Sequence, residues 1–465
     1  MSQTTPSITR SLLKLSIPIV LANTLQSAYQ LTDTFWVGRL GASAVAAVSI
    51  CYPIIFVLLS LGLGFSIAGT VLVSQYSGRK DQNMIDSVVG QTFLVMTVIS
   101  LLFSVVGYYS SDLVVSTMGV SGEVAREATN YLQISFIGLF FMYAYLTFQN
   151  ILRGVGNVKT PFYIVLITVL LNFLADPIFI MGYGPIPALG VSGAAVATVA
   201  TQGIAAIIGT AFLISGKHGI TLQLKNLIPN PKIIMRIIRL GTPAGAEQST
   251  RGLSMTLMTF LVTSFGTHAT AVFGIGIRVL SFVIIPALGF SQATSTLVGQ
   301  SVGAGNKEEA IAIGKKSILI ITIALTVAGI ILFFTSASIV RIFVPDSPDV
   351  ISEGSQFIRI IALTFGLIGI QQVVSGALRG GGNTTLAMLL AIVSMWVFRF
   401  PIAYILAYHT SLKVDGIWWA FCLSNILAAV MSLIVFSRNS WIKNLVDEDE
   451  RIENKVIDEI MSEEL

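Results

Sequence analysis

The sequence has few charged residues: Asp, Glu, Lys and Arg make up 11% of its 465 residues, against roughly 25% in an average soluble domain. Hydrophobic residues make up 54%, and the mean hydropathy is +0.83. Such a chain cannot supply the charged surface of a soluble protein, and the same numbers exclude a disordered chain, a coiled coil, a collagen and a disulfide scaffold. The class that remains is an all-α polytopic membrane protein.

Other residue types and motifs are also scarce. The two cysteines, Cys51 and Cys422, lie in apolar runs and are expected to be small buried hydrophobic residues. The three histidines, His218, His268 and His409, are too scattered for a metal site. There is no P-loop, no GxGxxG motif, no nucleophile–base pair and no basic stripe with interleaved aromatic residues. We therefore expect neither an enzyme nor a nucleic-acid-binding protein, and no resident cofactor.

Apolar runs long enough to cross a bilayer, which takes about 20 residues, occur twelve times along the chain. They lie at 12–38, 45–73, 88–110, 129–151, 161–182, 191–214, 240–263, 270–299, 315–335, 356–377, 384–408 and 416–437. Loop lysines and arginines concentrate on the side of the two termini, which predicts cytoplasmic termini. The first run can span the membrane and has no cleavage site, so we expect no signal peptide and a place in the cytoplasmic (inner) membrane.

The two halves of the chain repeat each other. Matched positions are Pro18 with Pro243, Gly41 with Gly266, Gln75 with Gln300, Gly78 with Gly303, and the run Leu152–Asn157 with Leu378–Asn383. The last two runs are expected to be short cytoplasmic loops. Because each copy has six helices, both copies share one orientation, as in several transporter folds. Two such lobes can rock about a central cleft, so the repeat favours alternating access.

The repeat predicts four parts: an N-lobe at 1–214, a basic linker at 215–239, a C-lobe at 240–437 and an acidic cytoplasmic tail at 438–465. Residues 1–444 carry a net charge of +11, and such a basic body suits loops that face an anionic cytoplasmic leaflet. Apolar residues at helical spacing predict a short amphipathic helix in the tail. They are Ile452, Val456, Ile457, Ile460 and Met461.

Asp33 is a carboxylate inside the first apolar run, where a charge costs about 2.5–3.5 kcal/mol or more. Its counterpart in the second copy is Met258, so the charge belongs to a site and not to the repeated scaffold. The alternative is an interfacial aspartate that Thr32 or Thr34 caps. We favour a functional role for the carboxylate.

Asp176 lies in the fifth run, directly before Pro177 and four residues after Asn172, on the same helical face. Proline removes a backbone donor, so we expect a kinked or broken helix whose free carbonyls lie beside the carboxylate. The alternative is a helix-end aspartate near the outer surface. Asp33 and Asp176 together could hold a cation or share a proton, because burial and like charge both favour a protonated carboxyl.

We single out four further ionisable residues inside the apolar runs of the second half. Glu247 and Arg251 are four residues apart on one helix, so a mutual ion pair is expected. Alternatively, Glu247 faces the cleft and attracts a cationic substrate. Arg278 and Arg399 pair with helix-end carbonyls or line the cleft.

At these residues the sequence resembles the MATE (multidrug and toxic compound extrusion) family, whose members pump drugs against sodium or protons. The resemblance covers nearly the whole chain except the acidic tail. It rests on Leu15–Pro18, Leu31–Gly38, Asn172–Ile180, Gly190–Ala195 and the duplicated Leu-Arg-Gly-x-Gly-Asn run. It implies a V-shaped bundle of two six-helix lobes.

The resemblance also implies a cation site in the first lobe. It carries over to Asp33, Asn172 and Asp176, then to Thr198 by its position after the Gly-Val-Ser-Gly run, and to Tyr131; the first four would hold Na⁺. The substrate cleft would include Glu247, Arg251, Arg278, Arg399 and Gln30. Some members carry an essential acid later in helix 7, whereas here Glu247 follows Pro243 by only four residues.

The sequence therefore predicts a monomeric secondary antiporter that couples Na⁺ or H⁺ entry to export of organic, cationic and amphipathic compounds. Its partners would be small-molecule substrates and the lipid bilayer. The alternative function is a flippase for a lipid-linked polyprenyl phosphate or oligosaccharide. The arginines motivate it, because guanidinium groups in a cleft suit anionic headgroups.

Overall fold

The computed structural model describes residues 7–216 and 219–447, and most of these residues are helical. The long helices are α1 (Ile8–Gly38), α2 (Ala42–Arg79), α3 (Gln82–Thr117), α4 (Gly122–Gly154), α5 (Lys159–Met181), α6 (Val191–Ile214), α7 (Pro231–Thr263), α8 (Thr267–Gly303), α9 (Lys307–Phe343), α10 (Pro348–Ala362), α11 (Phe365–Gly380), α12 (Thr384–Tyr408) and α13 (Val414–Ser437). A short 3₁₀ turn, Leu224–Leu227, precedes α7, and the middle of α12, Val393–Arg399, is π-helical.

Eleven of the twelve predicted spans lie within single helices, to within one residue, and the span 356–377 covers α10 and α11 together. Within the described ranges, ten helices are long and apolar enough to cross a membrane, and α10 with α11 forms one more span with a 49° bend. The remaining span, α7, has 33 residues but is more polar, because it contains the stretch Glu247–Arg251. It begins at Pro231, so 231–239 of the predicted linker is helical. The prediction of an all-α polytopic membrane fold is confirmed.

Contacts divide the chain into two compact units. Unit 1 contains the described residues of Met1–Val20, Ser74–Lys80 and Ala246–Leu465, and unit 2 contains those of Leu21–Val73 and Asp81–Gly245. Three of the four boundaries therefore fall inside α1, α2 and α7, and the fourth lies between α2 and α3. The lobe boundaries drawn from the repeat stay a prediction.

In unit 2, a tight turn joins α5 to α6 and fixes where their polar residues lie. Leu189 N–H donates to the carbonyl of Phe179 at 3.1 Å, and Gly190 N–H donates to that of Ile180 at 3.1 Å. A Cβ on Gly193, in the first turn of α6, would lie only 2.3 Å from the Phe179 carbonyl oxygen. Glycine thus lets the start of α6 pack directly on the end of α5.

In unit 1, the matched residues of the repeat contact each other where the ends of α2 and α8 cross. A Cβ on Gly78 would lie 1.9 Å from the carbonyl oxygen of Gln300, and one on Gly303 would lie 1.8 Å from that of Gln75. Gln75 matches Gln300 and Gly78 matches Gly303 in the repeat, so the contact is symmetric. Two helices can come this close only where neither carries a side chain.

Gly303→Ala should strongly destabilise the protein, because the new methyl group would overlap backbone atoms that no side-chain rotation can move. Overpacking typically costs about 1–3 kcal/mol, and we expect the upper end here. Thermal unfolding in detergent measures the loss. Gly274→Ala on the same helix is the matched control, because a Cβ there meets no atom within 4 Å. Equal stability of the two variants would contradict the contact.

The chain after α13 packs into unit 1 as far as Asp447. The Trp441 side chain is fully buried, and its Nε1–H donates to the Phe436 carbonyl at 2.9 Å. The Gln75 side chain donates to the Lys443 carbonyl at 3.1 Å and accepts from Leu445 N–H at 3.0 Å. The first residues of the predicted tail are therefore part of the folded unit. The predicted tail helix, with Ile452 to Met461, and His218 lie outside the described residues.

Candidate functional site

Helices α1, α5 and α6 bring polar side chains together inside unit 2. Asn172 Nδ2 donates to Asp176 Oδ1 at 2.9 Å, and Thr198 Oγ1 donates to Asp33 Oδ2 at 3.2 Å. The Asp33 carboxyl also interacts with the Asp176 carboxyl and with the Asn172 amide. Asn172 and Asp176 are fully buried. Four residues that the sequence singled out thus form one cluster.

The cluster contains three buried oxygen atoms without a hydrogen-bond donor: Asp33 Oδ1, Asn172 Oδ1 and Asp176 Oδ2. No Lys or Arg of the described chain forms an ion pair with either carboxylate. Buried acceptors of this kind are costly unless they are satisfied. Carboxylate, amide and hydroxyl oxygens are the ligands that hard cations prefer, and a proton shared by the two carboxyl groups would also lower the repulsion. The residues therefore fit a small cation or a proton.

The cluster lacks the nitrogen and sulfur ligands that transition metals usually prefer. Within 7–216 and 219–447, no three His, Cys, Asp or Glu side chains are close enough to share a metal ion. The cluster offers only oxygen ligands, and two of its members are neutral.

The structure contradicts the broken helix expected at Pro177, and it contradicts the alternative in which Thr32 or Thr34 caps Asp33. Helix α5 runs unbroken through Pro177 to Met181, because proline in the last two turns removes only one helical hydrogen bond. Thr32 and Thr34 do not cap Asp33: their hydroxyls donate to the carbonyls of Ala28 and Gln30 on their own helix, at 3.0 and 2.9 Å. Asp33 instead takes its hydroxyl donor from α6.

Sequence reasoning missed two hydroxyl groups. The Tyr29 and Thr201 hydroxyls lie 3.2 Å apart and share a hydrogen bond, and Tyr29 also interacts with Asp33 and Thr198. Tyr29 lies four residues before Asp33, and Thr201 lies three residues after Thr198. Helical spacing from the two identified residues is the signal that could have found them.

Tyr131 and Gln30 lie differently with respect to the cluster. Tyr131 packs against an apolar group that includes Val37 and Ile180, and it interacts electrostatically with both carboxylates. Gln30 is exposed, and its backbone carbonyl accepts a hydrogen bond from the Thr34 hydroxyl. The structure thus places Tyr131 beside the carboxylates.

An apolar cavity adjoins the cluster within unit 2. Its volume is about 70 Å³, and Tyr131 and Thr198 belong to both the cavity wall and the cluster. Its apolar wall includes Leu58, Leu132, Phe136, Leu139, Met142 and Val199. This volume is smaller than that of a typical pocket for a drug-sized molecule, which is about 300–1,000 Å³.

A buried ion network occupies unit 1. Glu247 is fully buried, and its Oε1 lies 3.0 Å from Arg251 Nη2, so the expected ion pair is present. Its Oε2 lies 3.3 Å from Arg379 Nη1, and Arg379 also donates to Ser291 Oγ at 2.9 Å. The sequence assigned Arg379 to a loop, whereas the structure buries it in the last turn of α11. Its repeat counterpart, Arg153, is likewise buried at the end of α4.

The other two arginines differ in environment. Arg399 is buried in the π-helical turn of α12 and donates to Ser424 Oγ at 3.1 Å and to Asn425 Oδ1 at 2.7 Å. Arg278 is exposed, and its guanidinium lies 5.9 Å from the ring centre of Phe343. Arg399 therefore joins α12 to α13, and Arg278 lies on the surface of α8.

The helices and the cluster define a multi-pass membrane protein that holds two carboxylates among its helices. The chain matches the family model MatE over residues 18–178 and 243–405. It belongs to the MATE family of transporters and is a multi-pass membrane protein.

Relatives and solved structures agree over almost the full length. The chain is 29% identical over 417 residues to the probable multidrug resistance protein YoeA of Bacillus subtilis, covering 89% of this chain and 90% of that one. It is 30% identical over 433 residues to the probable multidrug resistance protein NorM of Mannheimia succiniciproducens, covering 91% and 92%. A crystal structure of a MATE in complex with MaL6 has a TM-score of 0.88 at 22% identity and covers 94% of this chain and 99% of that one.

Proposed function

We propose that this protein is a secondary active antiporter that couples Na⁺ or H⁺ entry to export of organic, cationic and amphipathic compounds. The observation that carries the proposal is the set of three buried oxygens without donors on Asp33, Asn172 and Asp176. These atoms, with the Thr198 hydroxyl, would hold Na⁺, or the two carboxyl groups would share a proton. Relatives named as probable multidrug resistance proteins support the substrate class.

The ion would act by changing the balance between two conformations. Coupling requires that ion and substrate differ in affinity for the inward-open and outward-open states. The apolar cavity wall beside Tyr131 and Thr198 offers a contact surface for an apolar part of a substrate next to the proposed ion site. A cationic substrate and the coupling ion would then compete for the same negative charge, which produces exchange.

The test is efflux of a fluorescent amphipathic cation, ethidium, from proteoliposomes under separately imposed Na⁺ and pH gradients. We expect one gradient to drive efflux, and Asp176→Asn to remove that dependence. Ethidium efflux equal to that of empty vesicles under both gradients would contradict antiport. Efflux that responds to ATP alone would contradict secondary transport.

The flippase alternative has less support than antiport, because two of the three arginines that motivate it already have partners in the fold. Arg251 is paired with Glu247, and Arg399 is held by Ser424 and Asn425. Only Arg278 has its guanidinium largely exposed, against the ring of Phe343. The proposed substrate contacts of Glu247, Arg251, Arg278, Arg399 and Gln30 stay predictions, as do the monomeric state, the inner-membrane location and the cytoplasmic termini.

A further inference from the structure

The segment Gly219–Arg239, here called the anchored linker, is fixed to α3 by hydrogen bonds to its backbone. Gln91 is buried, and its Nε2 donates to the carbonyls of Asn226 and Ile228 at 2.7 and 2.8 Å. Its Oε1 accepts from Asn230 N–H at 2.9 Å. One side chain therefore satisfies three backbone groups that have no partner in a regular element.

Two further contacts fix the start of the anchored linker. Asp86 Oδ1 accepts from Thr221 N–H at 2.8 Å, and Gln82 Nε2 donates to the Gly219 carbonyl at 2.5 Å. Gly90 lets the linker lie directly on α3, because a Cβ there would be 2.3 Å from the Asn226 carbonyl oxygen. The linker is thus a built surface with one side held against α3.

The other side of the anchored linker presents large apolar side chains. Leu224 is 86% exposed, Ile228 is 71% exposed and Met235 is 54% exposed. Met235 and Ile238 lie three residues apart on the exposed face of the first turns of α7. Side chains of this size exposed together on one surface indicate contact with an apolar medium.

Basic residues interleave with these apolar side chains. Lys225, Lys232 and Arg239 are exposed, and the anchored linker contains no Asp or Glu. A surface that combines apolar side chains with Lys and Arg fits the boundary between acyl chains and anionic headgroups. Its charge is complementary to an anionic lipid surface and to no other part of the bilayer.

The length of α7 places this surface at the right depth. At about 1.5 Å per residue, its 33 residues are about 50 Å long, against about 30 Å of hydrocarbon. The apolar span begins at about residue 240, so the turns that carry Lys232, Met235 and Arg239 extend beyond the hydrocarbon. They end at the level of the headgroups.

We infer that the anchored linker is a docking surface for anionic phospholipid, with Leu224, Ile228 and Met235 inserted at the acyl boundary and Lys225, Lys232 and Arg239 on the headgroups. The basic side chains would set the preference for anionic lipid, and the apolar side chains would set the depth to which the surface inserts. The inference is independent of the proposed transport activity. The proposed contact lies at the membrane surface on the same side as the anchored linker.

Depth is tested with a fluorophore on Leu224→Cys, since Cys51 and Cys422 are buried and resist labelling. In phosphatidylcholine vesicles with equal parts phosphatidylglycerol, we expect blue-shifted emission that a quencher on the acyl chains reduces. Ser121→Cys, an exposed polar loop position, is the control and should stay quenchable only from water. A Leu224→Cys label that behaves like the Ser121→Cys label would overturn the inference.

Charge recognition is tested with the triple variant Lys225→Gln, Lys232→Gln and Arg239→Gln. Each basic residue near an anionic surface contributes about fivefold in affinity, so preference for phosphatidylglycerol over phosphatidylcholine at the label should fall roughly a hundredfold. The matched control removes three exposed lysines elsewhere, Lys307→Gln, Lys315→Gln and Lys316→Gln, and should leave the preference at the label unchanged. A preserved preference in the first variant, or an equal loss in both, would contradict the inference.

A third arm separates lipid from free phosphate. Glycerol 3-phosphate in solution should leave the emission of the Leu224→Cys label unchanged in phosphatidylcholine vesicles, because a lone headgroup offers no acyl boundary for the apolar side chains. A spectral shift equal to that produced by phosphatidylglycerol would show a soluble anion site and overturn the docking of lipid.

Discussion

Replacing Asp33 by Asn is expected to abolish ion-driven efflux while the protein stays folded. The amide has the shape of the carboxyl and can still accept from the Thr198 hydroxyl, which lies 3.2 Å from Asp33 Oδ2. It lacks the charge that would hold a cation and the group that would bind a proton. We expect ion affinity to fall at least tenfold, about 1.4 kcal/mol, and efflux to fall to the level of empty vesicles.

Three measurements make this result specific to Asp33. Asp112→Asn, the same substitution at an exposed position of α3, should transport normally. Tyr29→Phe removes a hydroxyl beside the cluster but no charge, so it should weaken ion binding without abolishing efflux. Unchanged thermal unfolding of Asp33→Asn would show that folding is intact. Normal ion-coupled efflux by Asp33→Asn would refute the coupling site.

Replacing Glu247 by Gln is expected to destabilise the protein by about 3–5 kcal/mol, the usual result of removing one partner from a buried ion pair. Glu247 is fully buried, and it faces Arg251 at 3.0 Å and Arg379 at 3.3 Å. Without the carboxylate, two guanidinium groups lie close together with no opposite charge. Thermal unfolding in detergent should show the loss directly.

The double variant Glu247→Gln with Arg379→Gln distinguishes lost charge balance from lost packing. It removes one charge of each sign, so it should lose less stability than the sum of the two single variants. The interaction between the two positions is then measured as the difference between the stability loss of the double variant and the sum of the two single losses. Strict additivity would mean that Glu247 and Arg379 do not interact in the folded protein. Glu353→Gln, whose side chain is about half exposed, is the control and should change stability little.

The helices could be predicted because a run of about 20 apolar residues has one solution in a bilayer. The bend between α10 and α11 could not, because no proline lies near it. A hydrogen bond from Asn425 on α13 to the Thr364 hydroxyl, at 3.0 Å, holds the bend from outside its own sequence. Local sequence signals carry no information about such a tertiary contact.

The carboxylates of the cluster could be predicted because each is a rare charge in an apolar run. Tyr29 and Thr201 have no such signal of their own, because hydroxyl groups are common in membrane helices and usually bond to their own backbone, as Thr201 also does with Ala197. Only their helical spacing from Asp33 and Thr198 points to them. Arg379 was missed for a different reason. Hydropathy assigns an arginine beside three glycines to a loop, whereas the fold buries it against Glu247.

The symmetric crossing of α2 and α8 has a consequence for how the two halves of the gene can diverge. Each half supplies the surface against which the other half packs: Gly78 lies on Gln300, and Gly303 lies on Gln75. A side chain that appears in either half therefore collides with the opposite half, and both copies must stay alike at this point. Asp33 and its counterpart Met258 already differ in charge, so this likeness is not kept at that pair. A duplicated protein can thus keep its internal likeness at one end of its helices while the other end acquires a charge in one copy only.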